Sequence, residues 1–173
     1  MIFLLGGARS GKSTIAGAIA VKIGAPIWFL ATARTDDEEM ERRIAAHRQD
    51  RPDGWRVLEA PVDVAQALGS APEDVTVIID CVTLWISNLM VEHTDPTILE
   101  MVEDVIALTV KRSAQTIVVS NEVGSGLVPM NPIGRRFRDL QGRANQKFAD
   151  AADAAYMVIA GKALRLEGAT DVI

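Results

Sequence analysis

Eight consecutive residues, Gly6, Gly7, Ala8, Arg9, Ser10, Gly11, Lys12 and Ser13, carry the most specific chemistry in the chain. They satisfy the spacing Gly-x-x-x-x-Gly-Lys-Ser, with an apolar run before it and helical spacing behind it, the context that a phosphate-binding P-loop requires. Glycines let the backbone curl until its N–H groups converge on phosphate oxygens, and the helix N-terminus adds a favourable dipole. Lys12 supplies a mobile positive charge for β- and γ-phosphates, and Ser13 a hydroxyl for Mg²⁺. The eight residues are therefore candidate contacts for ATP or GTP.

Two carboxylates end apolar runs. Asp80 follows a β-branched segment, where a parallel sheet would present it beside a ligand as a metal-holding group; a capping or solvated aspartate is the plainer alternative. Glu122 follows a second such segment, as a carboxylate acting on Mg²⁺ through its ligands, a base for a substrate hydroxyl, or a loop carboxylate at the sheet edge. His47 shares a helical face with Met40, Arg43 and Ile44. By position alone it reads as a dipole partner in a last helical turn. His93, between Glu92 and Thr94, reads as a solvated side chain.

The elements that must position these groups alternate between apolar runs and helical patterns, as in an α/β fold with a mostly parallel central sheet. Residues 2–5 form a first strand leading into the glycines. Ile15, Ile19 and Ile23, with Ala16 and Ala20, recur at helical spacing, and Gly24 is a stop. Strands are expected at 26–31, 55–60, 75–79 and 116–120, with a last core strand at 155–160. Helices are expected at 36–50, 62–68, 83–91 and 96–112. After a loop carrying Gly124, Gly126, Pro129 and Pro132, one long helix aligns Ile133, Phe137, Leu140, Ala144 and Phe148 as an apolar stripe. Its Arg135, Arg136, Arg138, Arg143 and Lys147 are either a solvated face or phosphate readers.

The chain has 173 residues, which predicts a single catalytic domain over 1–173 with a real core. A net charge of −5 argues against nucleic acid as the main partner. A single cysteine, Cys81, excludes an intrachain disulfide and is most simply a small buried residue. Five residues before the glycines leave no room for a signal peptide or membrane span, so a cytoplasmic protein is expected.

Several blocks, in order, resemble the bifunctional adenosylcobinamide kinase / adenosylcobinamide-phosphate guanylyltransferase family of cobalamin biosynthesis. They are residues 6–13; Glu39-Met40, Arg43-Ile44, His47, Arg51-Pro52 and Trp55; residues 80–85 with Asn88-Leu89; residues 120–129; and Phe137-Arg138-Asp139 with Gly142-Arg143 and Asn145-Gln146. The P-loop is common to many families, whereas the 120–129 and 137–146 blocks are much more particular. The resemblance implies a P-loop NTPase-type three-layer fold. It also implies two reactions: phosphorylation of the aminopropanol hydroxyl of adenosylcobinamide by ATP or GTP, then GMP transfer from GTP through a guanylylated histidine, giving adenosylcobinamide-GDP.

The family's histidine matches His47. Catalytic roles are thereby implied for His47, Lys12 and Glu122, nucleotide binding for Arg51 beside the loop, and Mg²⁺ at Ser13 and Asp80. The implied partners are a corrinoid, the nucleotides and further copies of the chain, typically in a trimer, with no nucleic acid and no integral membrane segment. A plain P-loop small-molecule kinase without a covalent intermediate, and a non-catalytic nucleotide switch, are the competing readings.

Overall fold

The computed structural model of the protein describes residues 1–34 and 54–168. The predicted helix at 36–50, which includes His47, and Arg51 just after it lie outside the described residues. In chain order the elements are β1 (Ile2–Gly6), α1 (Lys12–Ile23), β2 (Ile27–Ala31), β3 (Arg56–Glu59), α2 (Val64–Gly69), β4 (Thr76–Asp80), α3 (Val82–Leu89), α4 (Asp95–Lys111), β5 (Thr116–Asn121), α5 (Pro132–Ala151), β6 (Ala154–Ile159) and β7 (Lys162–Leu166).

The seven strands form one sheet in the order β3-β2-β4-β5-β1-β6-β7, parallel except for β7. Alternation along the inner strands sends side chains to two separate cores. Leu4, Ile78, Ile117 and Val119 face α1. Phe3, Val77, Ile79 and Val118 face α2, α3, α4 and α5. On α1 it is the small Ala16 and Ala20 that are fully buried, so that helix lies close on the sheet, while Ile23 at its end is exposed. Gly24 ends it with φ 81, the left-handed conformation that glycine adopts at little steric cost. Among the described residues, no helix is long and apolar enough to cross a membrane.

The last core strand lies where it was expected, at residues 154–159, but a strand outside the core follows it. Ala160 (φ 50) and Gly161 (φ 73) make a two-residue turn of the kind that suits twisted hairpins, and β7 returns antiparallel along β6. Every residue of β7 is exposed, so no buried face patterned its sequence. Two expectations are corrected. The apolar stripe of α5 does not begin at Ile133, which is 66% exposed. At 20 residues α5 is about 30 Å long, against roughly 17–20 Å for a five- to six-residue strand. Its first turns therefore overhang the sheet. Pro132, expected in the loop, opens this helix, and the Asn131 side chain caps it by accepting the Gly134 N–H at 2.6 Å.

Phe148 of α5 stacks on Phe3 of β1 (centroids 5.8 Å apart, planes 16° apart), both without solvent contact. Phe148→Ala is expected to destabilise the fold by about 3–5 kcal/mol, measured by urea denaturation.

Candidate active site

The centre of the sheet presents β4, β5 and β1 side by side, and their C-terminal ends carry the candidate groups. Gly6 ends β1 where a β-carbon would collide with the carbonyl oxygen of Val158 on β6 and sit 2.9 Å from Ser10 Oγ. The chain then turns back, with the Ser10 N–H donating to the Gly7 carbonyl at 3.3 Å. Arg9 (φ 57) and Gly11 (φ 99) adopt left-handed conformations before α1 starts at Lys12. The β6–β7 turn braces this loop from outside: the Gly161 N–H donates to the Ser10 carbonyl at 2.8 Å. A β-carbon on Gly11 would meet Gly161 Cα at 3.2 Å.

Lys12 points back into its own loop. Its Nζ donates to the carbonyls of Gly6 (2.9 Å) and Gly7 (2.7 Å), with Ser10 Oγ at 3.4 Å. Burial lowers its pKa, while the Asp80 carboxylate acts in the opposite direction. The ammonium is thus held by neutral acceptors in the hollow where phosphates would lie, and an anion entering there meets an already positioned charge.

Ser13 Oγ donates to Asp80 Oδ2 at 2.9 Å. This bond joins the first turn of α1 to the end of β4 and brings together the two residues proposed for Mg²⁺. One carboxylate and one hydroxyl suit that ion, which is commonly completed by water and substrate phosphates rather than enclosed by protein. The described residues hold no group of three or more His, Cys, Asp or Glu side chains placed to share a metal ion.

Behind Asp80, the Cys81 N–H donates to Thr32 Oγ1 at 2.8 Å, and that hydroxyl donates to the Cys81 carbonyl at 2.8 Å. Asn88 Nδ2 in turn donates to the carbonyls of Thr32 and Pro61, both at 2.8 Å. Burial, with the Asp80 charge beside it, pushes the Cys81 thiol up to about 12. It is an inert packing group, as the sequence suggested.

Glu122 is brought to the loop by its backbone, its N–H donating to the Gly6 carbonyl at 3.0 Å. Its carboxylate turns to its own loop, accepting the N–H groups of Gly124 and Ser125 and the Ser125 hydroxyl. The arginines of α5 mostly serve the chain itself. Arg135 holds the Pro129 and Met130 carbonyls, and Arg136 holds Asp95 and the His93 carbonyl. Arg138 pairs with Asp139, and Lys147 with Glu103.

The sequence by itself assigned no role to Thr32, Thr83 or Gln141, polar residues buried at this edge. Gln141 and Asn145 lie four apart on α5, on the flank of the buried stripe formed by Leu140, Ala144 and Phe148. Amides at that spacing beside an apolar stripe were a readable sign of a buried polar network.

The family profile described as cobinamide kinase / cobinamide phosphate guanyltransferase matches residues 2–166. The chain belongs to this family. The bifunctional adenosylcobalamin biosynthesis protein CobP of Pseudomonas aeruginosa is 38% identical over 167 residues, covering 95% of this chain and 96% of that protein. CobU of Salmonella typhimurium, of the same description, is 35% identical over 182 aligned positions, covering 96% and 99%.

Among solved structures, the RadB recombinase superposes with a TM-score of 0.55 at 14% identity, over 90% of this chain and 73% of that one. A prototypical ATPase from the type III secretion system of pathogenic bacteria gives 0.51 at 13% identity; 90% of this chain is covered, and it spans half of that chain's length. These likenesses establish the P-loop NTPase fold of the family member, and nothing about its substrate.

Two predictions follow from the geometry. Gly6→Ala is expected to cost about 1–3 kcal/mol because strand backbone must move. Gly7→Ala, where a β-carbon would meet nothing within 4 Å, stays within about 0.5 kcal/mol in the same denaturation series. At pH 8 the native Cys81 thiolate fraction is roughly one in ten thousand. Alkylation followed by mass spectrometry is therefore expected to proceed only as the protein unfolds.

Proposed function

We propose that this chain phosphorylates adenosylcobinamide with ATP or GTP and then transfers GMP from GTP to the product, giving adenosylcobinamide-GDP. The observation carrying this reading is the Lys12 loop joined to Asp80 through Ser13, within a chain that belongs to the family along nearly its whole length. One catalytic domain does both reactions, working in the cytoplasm as a homo-oligomer, with a trimer the expected state.

In the first reaction the substrate hydroxyl oxygen attacks the γ-phosphorus. A new P–O bond forms, the bond to the β–γ bridging oxygen breaks, and nucleoside diphosphate leaves. Lys12 and the N–H groups at the start of α1 hold the phosphates and offset charge as it shifts to the leaving oxygen. Mg²⁺ at Ser13 and Asp80 would neutralise phosphate charge when bound. Glu122 takes the hydroxyl proton once its carboxylate leaves the Gly124 and Ser125 amides.

In the second reaction a neutral His47 nitrogen attacks the α-phosphorus of GTP, pyrophosphate leaves and a phosphoramidate forms. An oxygen of adenosylcobinamide phosphate then attacks that phosphorus, and the P–N bond breaks to free the histidine. Arg51 steadies the nucleotide. The roles of His47 and Arg51 rest on the sequence blocks.

Incubation with Mg²⁺ and GTP labelled at the α-phosphate is expected to leave acid-labile, base-stable label on the protein, absent from His47→Ala. Wild-type protein that binds GTP yet acquires no label would leave only a P-loop kinase.

A further inference from the structure

At the end of β5, two side chains from different helices hold one backbone unit. The Asn121 N–H donates to Thr83 Oγ1 of α3 at 2.8 Å, and the Asn121 carbonyl accepts from Asn145 Nδ2 of α5 at 3.1 Å. The first contact has a structural cause. The β4–β5 pairing ends at Asp80 opposite Val119, so the Asn121 N–H has no strand partner on that side. The Thr83 hydroxyl stands where a strand carbonyl would be.

The second contact is itself fixed. Asn145 Oδ1 accepts the Ser120 hydroxyl at 2.6 Å and Gln141 Nε2 at 2.8 Å, and Gln141 Nε2 also donates to Ser120 Oγ at 2.9 Å. Ser120, Gln141 and Asn145 are buried, so this is a polar network inside a core, where a misplaced partner is costly. A fully apolar α5 would pack against the sheet without it. On the other edge, β1 supplies Gly6 directly opposite Asn121.

All this restraint acts on a residue whose side-chain amide makes no hydrogen bond among the described residues. Alternation says where the amide lies. Ser120 faces α5, whereas Val119 packs in the cluster with Ala16 and Ala20 of α1. Asn121, two residues beyond Val119, therefore belongs to the α1 face. Asp80 is on that face too, two residues beyond Ile78 of the same cluster, and it bonds Ser13 at the start of α1. Asn121 thus stands one strand spacing from Gly6, half-buried, between the phosphate loop and the strand that ends in Asp80.

We propose that Asn121 is a further catalytic residue of the phosphoryl-transfer site, its amide Nδ2 donating to a γ-phosphoryl oxygen of the bound triphosphate, with Thr83 and Asn145 as the positioning residues that aim it. A neutral amide suits this place better than a second carboxylate. It donates to the phosphoryl oxygens without adding negative charge beside Asp80. A donor fixed by its backbone before the reaction needs little reorganisation as charge moves during transfer. The proposal rests on the nucleotide reading of the loop and not on which acceptor takes the phosphoryl group.

The test compares wild type, Asn121→Ala, Thr83→Val and Thr83→Ser, using triphosphate labelled at the γ-phosphate. Single-turnover rates are followed for transfer to adenosylcobinamide and, separately, for hydrolysis without acceptor. Triphosphate affinity is measured by equilibrium titration, and folding by thermal denaturation.

For Asn121→Ala, both rates are expected to fall about 100-fold, while affinity changes less than about threefold. Thr83→Val should lower the same rates with affinity preserved, and Thr83→Ser, which keeps the hydroxyl, should restore them. An Asn121→Ala rate within about threefold of wild type overturns the proposal. So does a rate loss matched by lost affinity, or a Thr83→Ser variant as slow as folded Thr83→Val. Wild-type protein that hydrolyses the triphosphate but never phosphorylates the corrinoid removes the proposed substrate, and the hydrolysis series still decides on Asn121.

Discussion

Where β1 leaves the sheet at Gly6, the Val158 carbonyl lies so close that no β-carbon fits, and on the opposite side Asn121 of β5 is in register. The phosphate loop must start within that width. From the same point the Gly6 carbonyl accepts both the Glu122 N–H and Lys12 Nζ. One backbone unit therefore ties the loop's lysine, the end of β5 and, through β6, the Ala160–Gly161 turn that braces Ser10. A parallel sheet supplies this convergence because its central strands all end at one edge.

The electrostatics of the edge follow from its burial. Lys12 is almost fully enclosed, so its charge is sustained by the two carbonyls it bonds and by Asp80 nearby. Asp80 in turn is linked to α1 by the Ser13 hydroxyl. Opposite charges thus lie at either side of the start of α1. In the proposed reaction a triphosphate with a divalent cation would meet this pattern with phosphate toward Lys12 and metal toward Asp80. The buried Cys81 thiol adds no charge here, because the same low-dielectric surroundings keep it protonated.

Polar groups are placed differently on the two faces of the sheet. On the α1 face, Lys12, Ser13 and Asp80 gather at the C-terminal edge of the sheet. On the opposite face, Ser120, Gln141 and Asn145 form a buried network, and among the described residues it reaches the sheet edge through the Asn121 carbonyl. Holding the sheet edge from behind leaves the front free for ligand. Meanwhile α5 spends Arg135 and Arg136 on the loop and helix around it, so those guanidinium groups serve architecture.

Much of this was legible in the chain. The loop at residues 6–13, the strand ending at Asp80 and the strand before Glu122 are local patterns, set by glycine conformations and by runs of β-branched residues that suit a strand buried on both faces. The blocks at 120–129 and 137–146 carried the family. The exposed hairpin strand β7 was not legible, because a strand with no buried face imposes no alternation on its residues. Nor was the exposure of Ile133, which depends on how far a 20-residue helix overhangs short strands.

The pairing of Ser13 with Asp80 spans 67 residues, and that of Asn121 with Thr83 spans 38. No periodicity records such distances. The residue types at the site were determined by the sequence; their meeting was decided only when register and strand order brought β4, β5 and β1 to one edge.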